Sequence, residues 1–187
     1  MKVYQIYDVW MALRKAGANL LILSVIASFI CYLFDLLQFL PLILLVILIQ
    51  STIIYRANHL YKIDQVTQTF TFPASDLENS ILAIVLMQPY WNLMRRKSVP
   101  LSTIENLYLD TQRWNTKQQV VTGTTAKGKT KFKQTTKKHV RYCLNVAGAF
   151  GSANLDFLSR QKRDEVRNAL QQSVKNASID SKVSEMA

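Results

Sequence analysis

Cysteine, histidine and glycine are scarce in this chain of 187 residues, and each scarcity removes a class of chemistry. The two cysteines, Cys31 and Cys143, lie in an apolar block and in a strand-like segment, so neither a CxxC pair nor a Cys/His zinc cluster can be assembled. They read as small buried apolar side chains of a reducing compartment. His59 and His139 stand alone in basic or juxtamembrane surroundings and read as surface residues. With five glycines there is no phosphate loop and no dinucleotide fingerprint, and neither HExxH nor a nucleophile elbow occurs. Acids are scattered singly. Asp164 and Glu165 are adjacent on a helical stretch and diverge, so they cannot act as a pair on one substrate. A chain without these devices reads as non-catalytic, with no cofactor, no metal and no small-molecule substrate.

What the chain has in abundance is apolar length. From Ala16 to Tyr55, 40 residues are relieved only by Asn19, Asp35, Gln38, Gln50 and small hydroxyls. A hydrocarbon core about 30 Å thick takes about 20 helical residues, so the block is too long for one crossing and fits two. Asp35 is its only charge and Pro41 its only proline, which places the fold-back between them. The spacing predicts a transmembrane hairpin, Ala16–Phe34 and Pro41–Tyr55. An unpaired carboxylate at mid-bilayer depth costs several kcal/mol, so Asp35 belongs at the far surface. Arg14 and Lys15 precede the first limb, Arg56 and Lys62 follow the second, and the turn carries neither Lys nor Arg. Both ends are therefore expected in the cytoplasm. Before the hairpin, Tyr4, Tyr7, Trp10 and Met11 recur at helical spacing. They predict an amphipathic helix over 1–15 lying in the interface, or an extension of the first limb, with Tyr4, Tyr7, Trp10, Arg14, Lys15, Tyr55 and Arg56 at the membrane surface.

The net charge of +11 is concentrated after the hairpin: from Arg56 onward there are 20 basic and 10 acidic residues. One soluble domain of ordinary size fits 56–174. Leu60–Asp64 and Thr69–Phe72 read as a β-hairpin, with Phe70 and Phe72 on one face and Pro73 ending the second strand. Ser75 and Glu78 have the form of a capping box. Ile81–Met87 is apolar on every side and reads equally as helix or buried strand; it is assigned to the core before a subunit contact or a membrane contact. A basic strand, Arg95-Arg96-Lys97, leads into Val99-Pro100-Leu101-Ser102-Thr103-Ile104 and a further strand. Val140–Val146 and Ala153–Leu158 pair across Gly148–Gly151. Ser159 caps a helix whose stripe is Val166, Ala169, Leu170 and Val174, and 175–187 is expected to be a disordered tail.

The Val-Pro-Leu-Ser-x-Ile element at Val99–Ile104, and the Gly151-Ser152-Ala153-Asn154-Leu155 strand running into an amphipathic terminal helix, resemble the bacterial pleckstrin-homology-like domains that follow a two-helix membrane hairpin. The likeness covers Tyr55 to Val174. It implies an α+β membrane protein of the bacterial inner membrane: a helical hairpin, then a curved antiparallel sheet or barrel of about seven strands closed by a carboxy-terminal helix. The residues alone reach antiparallel β with a terminal helix.

Asn115–Lys138 is rich in Thr, Gln and Lys and holds no acid. It predicts a flexible loop, or a hairpin extension that orders when bound. Arg95, Arg96 and Lys97 with Lys127, Lys129, Lys131, Lys133, Lys137 and Lys138 are the candidate anion-binding set. The chain is thus read as a membrane-anchored scaffold recruiting a protein partner, self included. The alternatives are an anionic-phospholipid reader, a part of an oligomeric transport or secretion assembly, and, ranked lower for want of stacking aromatics in the loop, a nucleic-acid binder.

Overall fold

The computed structural model of the chain describes residues 2–124 and 130–185, with side chains described outside 122–132 and 178–185. The order is β1 (Val3–Tyr7), α1 (Val9–Leu33), α2 (Leu40–Asn58), β2 (Leu60–Asp64), β3 (Thr69–Pro73), α3 (Ile81–Val85), α4 (Gln88–Asn92), β4 (Arg96–Pro100), β5 (Ile104–Thr124), β6 (Thr130–Gly148), β7 (Gly151–Phe157) and α5 (Arg160–Glu185).

Two long apolar helices open the chain, α1 and α2, both long and apolar enough to cross a membrane. They pack antiparallel through Cys31, Ile47 and Ile54, and Asn19 Nδ2 donates to Ser51 Oγ across the interface at 3.2 Å. Only 11% and 17% of their most apolar windows are buried within the molecule, the reverse of a soluble core helix. Asp8 caps α1, its Oδ1 accepting from the Met11 amide at 3.2 Å. At the tip the chain turns through Asp35 in the left-handed region, φ 55°, which a short polar side chain tolerates. Pro41 sits in the first turn of α2, where its missing N–H costs nothing.

The amino-terminal segment differs from the interfacial helix expected over 1–15. Val3–Tyr7 is a strand that pairs antiparallel with β2, Val3 opposite Asp64 and Tyr7 opposite Leu60, and the helix begins only at Val9. Tyr4 packs against the domain core rather than lying at an interface. The residues before the hairpin and the domain after it are stitched into one sheet. They therefore lie on one side of any bilayer that α1 and α2 cross.

The domain has two antiparallel sheets, β1-β2-β3-β4 and β5-β6-β7, and among the described residues they do not close into a barrel. Strand alternation builds the core. Phe70 and Phe72 of β3 face Tyr61, Ile63 and Val99, while Leu144, Val146, Ala153, Leu155 and Phe157 come from the second sheet. Val166, Leu170 and Ala177 of α5 pack on this core. The sheets are joined by a bridge between Leu77 and Ala153 and by the Glu78 amide donating to the Ser152 carbonyl at 3.0 Å. Helix α5 passes Val174 and continues to Glu185 with Ala177 buried, so the disordered tail expected from Lys175 is helix over most of its length.

Two further expectations are corrected. Ile81–Met87 is not core: its residues form α3 and the turn after it, and Ile81, Val85 and Met87 are 84%, 76% and 67% exposed. Its cap is Ser80, whose Oγ accepts from Ala83, while Ser75 is used elsewhere. The segment 115–138, expected to be a flexible loop or a hairpin extension that orders when bound, is not a loop but for the most part a paired ribbon of β5 and β6.

The β2–β3 turn carries a pH-dependent contribution. The Asp64 carboxylate takes an ion pair from Lys62 at 3.0 Å and accepts from the Thr67 and Val66 amides, which holds its pKa below the usual 3.8. A carboxyl lowered by folding adds stability that is complete above the ordinary value and is lost as pH falls through the lowered one. Asp64→Asn is expected to flatten the acid limb of the chain's unfolding-midpoint curve, read by circular dichroism in detergent.

Candidate functional site

The base of the hairpin is locked to the domain by a buried polar cluster. Lys15 on α1 donates to Asp76 Oδ1 at 2.7 Å, Ser75 Oγ at 2.8 Å and Asn58 Oδ1 at 3.1 Å. Asn58, at the end of α2, donates in turn to the Leu93 carbonyl at 2.8 Å. Asp76 is completed by the Tyr61 hydroxyl at 3.1 Å, and its side chain is 4% exposed against 20% for Lys15. Burial outweighs the attraction of Lys15 and raises the Asp76 pKa, and burial beside Asp76 raises the Tyr61 phenol well above its usual value. Lys15, expected at the lipid surface, is thus an internal tie. Tyr7 and Tyr55 flank the His59 ring at 5.9 and 5.4 Å and close the same base, while Trp10, Arg14 and Arg56 are exposed.

The candidate anion-binding residues separate into groups. Arg95, Arg96 and Lys97 are exposed, but strand alternation sends Arg96 and Lys97 to opposite faces of β4. Arg96 donates through Nη2 to the Leu60 carbonyl, and its partial burial lowers its pKa. These three do not form one patch. On the ribbon, Lys133 and Lys137 share a face of β6 with His139 and Arg141, and Lys138 lies on the other face with Lys117 opposite Thr136. Lys131 pairs with Gly123 in the backbone register, and Lys127 and Lys129 lie outside the described residues.

The Lys133 face holds aromatic groups as well as charge. Trp114 stacks on His139 at 5.3 Å, and the Arg141 guanidinium lies 5.5 Å from the indole centroid. Sequence reading drew its segment from Asn115 and so left Trp114 outside it; the cross-strand register brings it in.

The ribbon leaves the domain where β7 ends. β7 covers β6 only from Tyr142 to Gly148, whereas β5 and β6 stay paired out to Thr124 and Thr130. Thirteen residues at about 3.3 Å give a free reach of about 40 Å. Its root is pinned by Arg163, which donates to Thr111 Oγ1 at 3.2 Å and the Asp110 carbonyl at 3.4 Å and stacks over Tyr142 at 5.5 Å. Beyond the root, both edges of the ribbon lack a strand neighbour among the described residues. An isolated two-stranded ribbon is marginal in water, and open edges are templates for another chain.

Beside the root, Cys143 Sγ donates to Asp156 Oδ1 at 3.2 Å, and burial with that carboxylate pushes the thiol up to about 12. At pH 8 about one thiol in 10⁴ would be ionised. Iodoacetamide is expected to leave Cys143 unmodified in the folded chain and to label it after denaturation, as read by peptide mass spectrometry.

Among the described residues no group of three or more His, Cys, Asp or Glu side chains is placed to hold a metal ion. Comparison with family models, curated proteins and solved structures finds no match.

Proposed function

We propose that the chain is a non-catalytic, membrane-anchored adaptor whose β domain sits on the cytoplasmic face of a bacterial inner membrane and recruits a protein partner through the β5–β6 ribbon. The observation that carries this reading is the ribbon itself: a basic two-stranded arm with open edges standing about 40 Å clear of its sheet. The two apolar helices and the basic residues flanking them support the anchoring and its orientation. Four strands, then three strands, then a terminal helix is an order that supports the pleckstrin-like reading, with the membrane hairpin inserted between its first two strands.

The test compares the full chain with a variant in which 113–140 is replaced by a two-residue Asn-Gly turn, both isolated from cells in mild detergent and measured for mass and composition. A stoichiometric partner, or a defined self-assembly, that is present with the full chain and absent with the trimmed one is the expected result. Identical composition for the two chains refutes the reading. A second reading, nucleic-acid binding, is favoured by the Trp114, His139 and Arg141 stack on the Lys133 face. A gel shift with full chain in nanodiscs at physiological salt separates it from the first.

A further inference from the structure

The chain between Glu78 and Arg95 contains no charged residue, yet α3 and α4 leave most of its apolar side chains uncovered. Where this lobe points is fixed by its two ends and its middle. It departs at Glu78, held to Ser152 of the second sheet, and returns at Leu93, whose carbonyl accepts from Asn58 at the domain end of α2. Before that return Tyr90 accepts from the Gln50 amide on α2, and just after it Met94 Sδ lies 3.9 Å from the same nitrogen. Gln50 is eight residues before Asn58, about 12 Å along the helix axis away from the domain. The α4 end of the lobe therefore lies beside α2 on the tip side of Asn58, and Met87, left-handed at φ 53°, makes the turn between α3 and α4.

We propose that this lobe is a third membrane-embedded element, with Ile81, Leu82, Val85, Leu86 and Met87 inserted among the acyl chains of the leaflet that faces the β domain. The inference rests on the reading that α1 and α2 span a bilayer, and three observations carry it further. Tyr90 and Met94 reach α2 at Gln50, five residues inside Tyr55, so the lobe lies against the flank of a spanning helix while Ile81, Leu82, Ile84 and Val85 stay uncovered. Gln50, a polar group within an apolar span, has its partners supplied by the lobe, as a group at that depth requires. The flanks have the composition of an interface: Tyr90 and Trp91 in edge contact at 5.9 Å, then exposed Arg95 and Arg96. An amphipathic insertion of this kind sets the rotation of the domain about the hairpin, because it holds a second point of the domain at a fixed depth.

The experiment uses the full chain, with Cys31 and Cys143 replaced by Ala, reconstituted in phosphatidylcholine and phosphatidylglycerol vesicles. An environment-sensitive fluorophore is placed singly at Val25 in α1, at Val85 in the lobe, or at Val66 in the β2–β3 turn. Quenching is measured with brominated lipid and with aqueous iodide. The expected result is loss of emission to brominated lipid at Val85 comparable to that at Val25, with Val66 quenched only by iodide. Lipid quenching at Val25 with iodide quenching at Val85 overturns the proposal and leaves the spanning reading intact. Protection of Val85 from both quenchers means that protein covers the lobe, a second copy included, and also overturns it. Absence of lipid quenching at Val25 removes the spanning reading and the proposal with it. As a check that needs no cysteine change, a W10F/W114F chain reports from Trp91 alone, whose intrinsic emission is expected to fall in brominated vesicles; unchanged emission argues against insertion.

Discussion

Asp76→Ala is expected to lower the stability of the full chain by about 3 kcal/mol, because it strips the carboxylate from the part-buried Lys15 ammonium and leaves the buried Tyr61 hydroxyl unpaired. Three separate elements meet at this carboxylate: the start of the first long helix, the end of the second through Asn58, and the core through Tyr61. Losing it should loosen the domain from the hairpin before it unfolds the sheets. Hydrogen exchange at the Asn58 and Leu93 amides is therefore expected to rise ahead of the global transition, which guanidinium unfolding in detergent measures. The double change Lys15→Met with Asp76→Leu is expected to cost less than Asp76→Ala alone, since it removes both charges from a site that already excludes water. The pH dependence has a definite sign. Burial raises the Asp76 pKa above 3.8, so this group's contribution is complete below 3.8 and is lost as pH rises through the raised value. Asp76→Asn is expected to remove that loss from the stability profile.

Gly148→Ala is expected to cost at least about 3 kcal/mol, at the upper end of overpacking changes. A Cβ at Gly148 would stand 1.8 Å from the Thr103 carbonyl oxygen and 3.1 Å from the Ile104 Cα. Both are backbone atoms, one in the turn that ends at Thr103 and one in the first residue of β5, and the Ala149 amide holds that same carbonyl at 3.1 Å. No rotamer change can relieve the overlap, so β5 must shift from β6 at the end where their pairing begins. Gly151→Ala is the matched control. Its φ of +101° disfavours a side chain, but the space beside it is empty, and a cost of about 1 kcal/mol is expected. A smaller effect at Gly148 than at Gly151 in the same denaturant titration would contradict this account.

The two glycines show how far the chain could be read in advance. A turn over Gly148–Gly151 was legible from composition, and so was a need for positive φ, which Gly151 meets. That Gly148 serves close approach depends on Thr103, distant in sequence, and no local pattern announces it. The hairpin was legible because bilayer thickness and a single proline fix it almost without tertiary information. Phe70, Phe72, Val166 and Leu170 were legible for the same reason: period 2 and period 3.6 each put one face inward. The strand Val3–Tyr7 was not. Its aromatics fit helical spacing by accident, and its state is decided by a partner beyond the hairpin, Gln5 lying opposite Lys62. The ribbon stayed open between loop and hairpin extension for a different cause. Thr, Gln and Lys present no apolar face, so its order comes from backbone pairing that composition does not express. The Lys15–Asp76 tie spans 61 residues and had no signal in either neighbourhood.

The strand that precedes the helices also governs how the chain can be made. Ile6 fills the core only if it meets Tyr61 across the β1–β2 register, and that meeting happens after both helices have been synthesised. Until those five residues return to it, β2 is left as a bare edge and the core lacks Ile6. Closure of the sheet therefore waits on both ends of the helical pair: the domain made last is completed only by the strand made first.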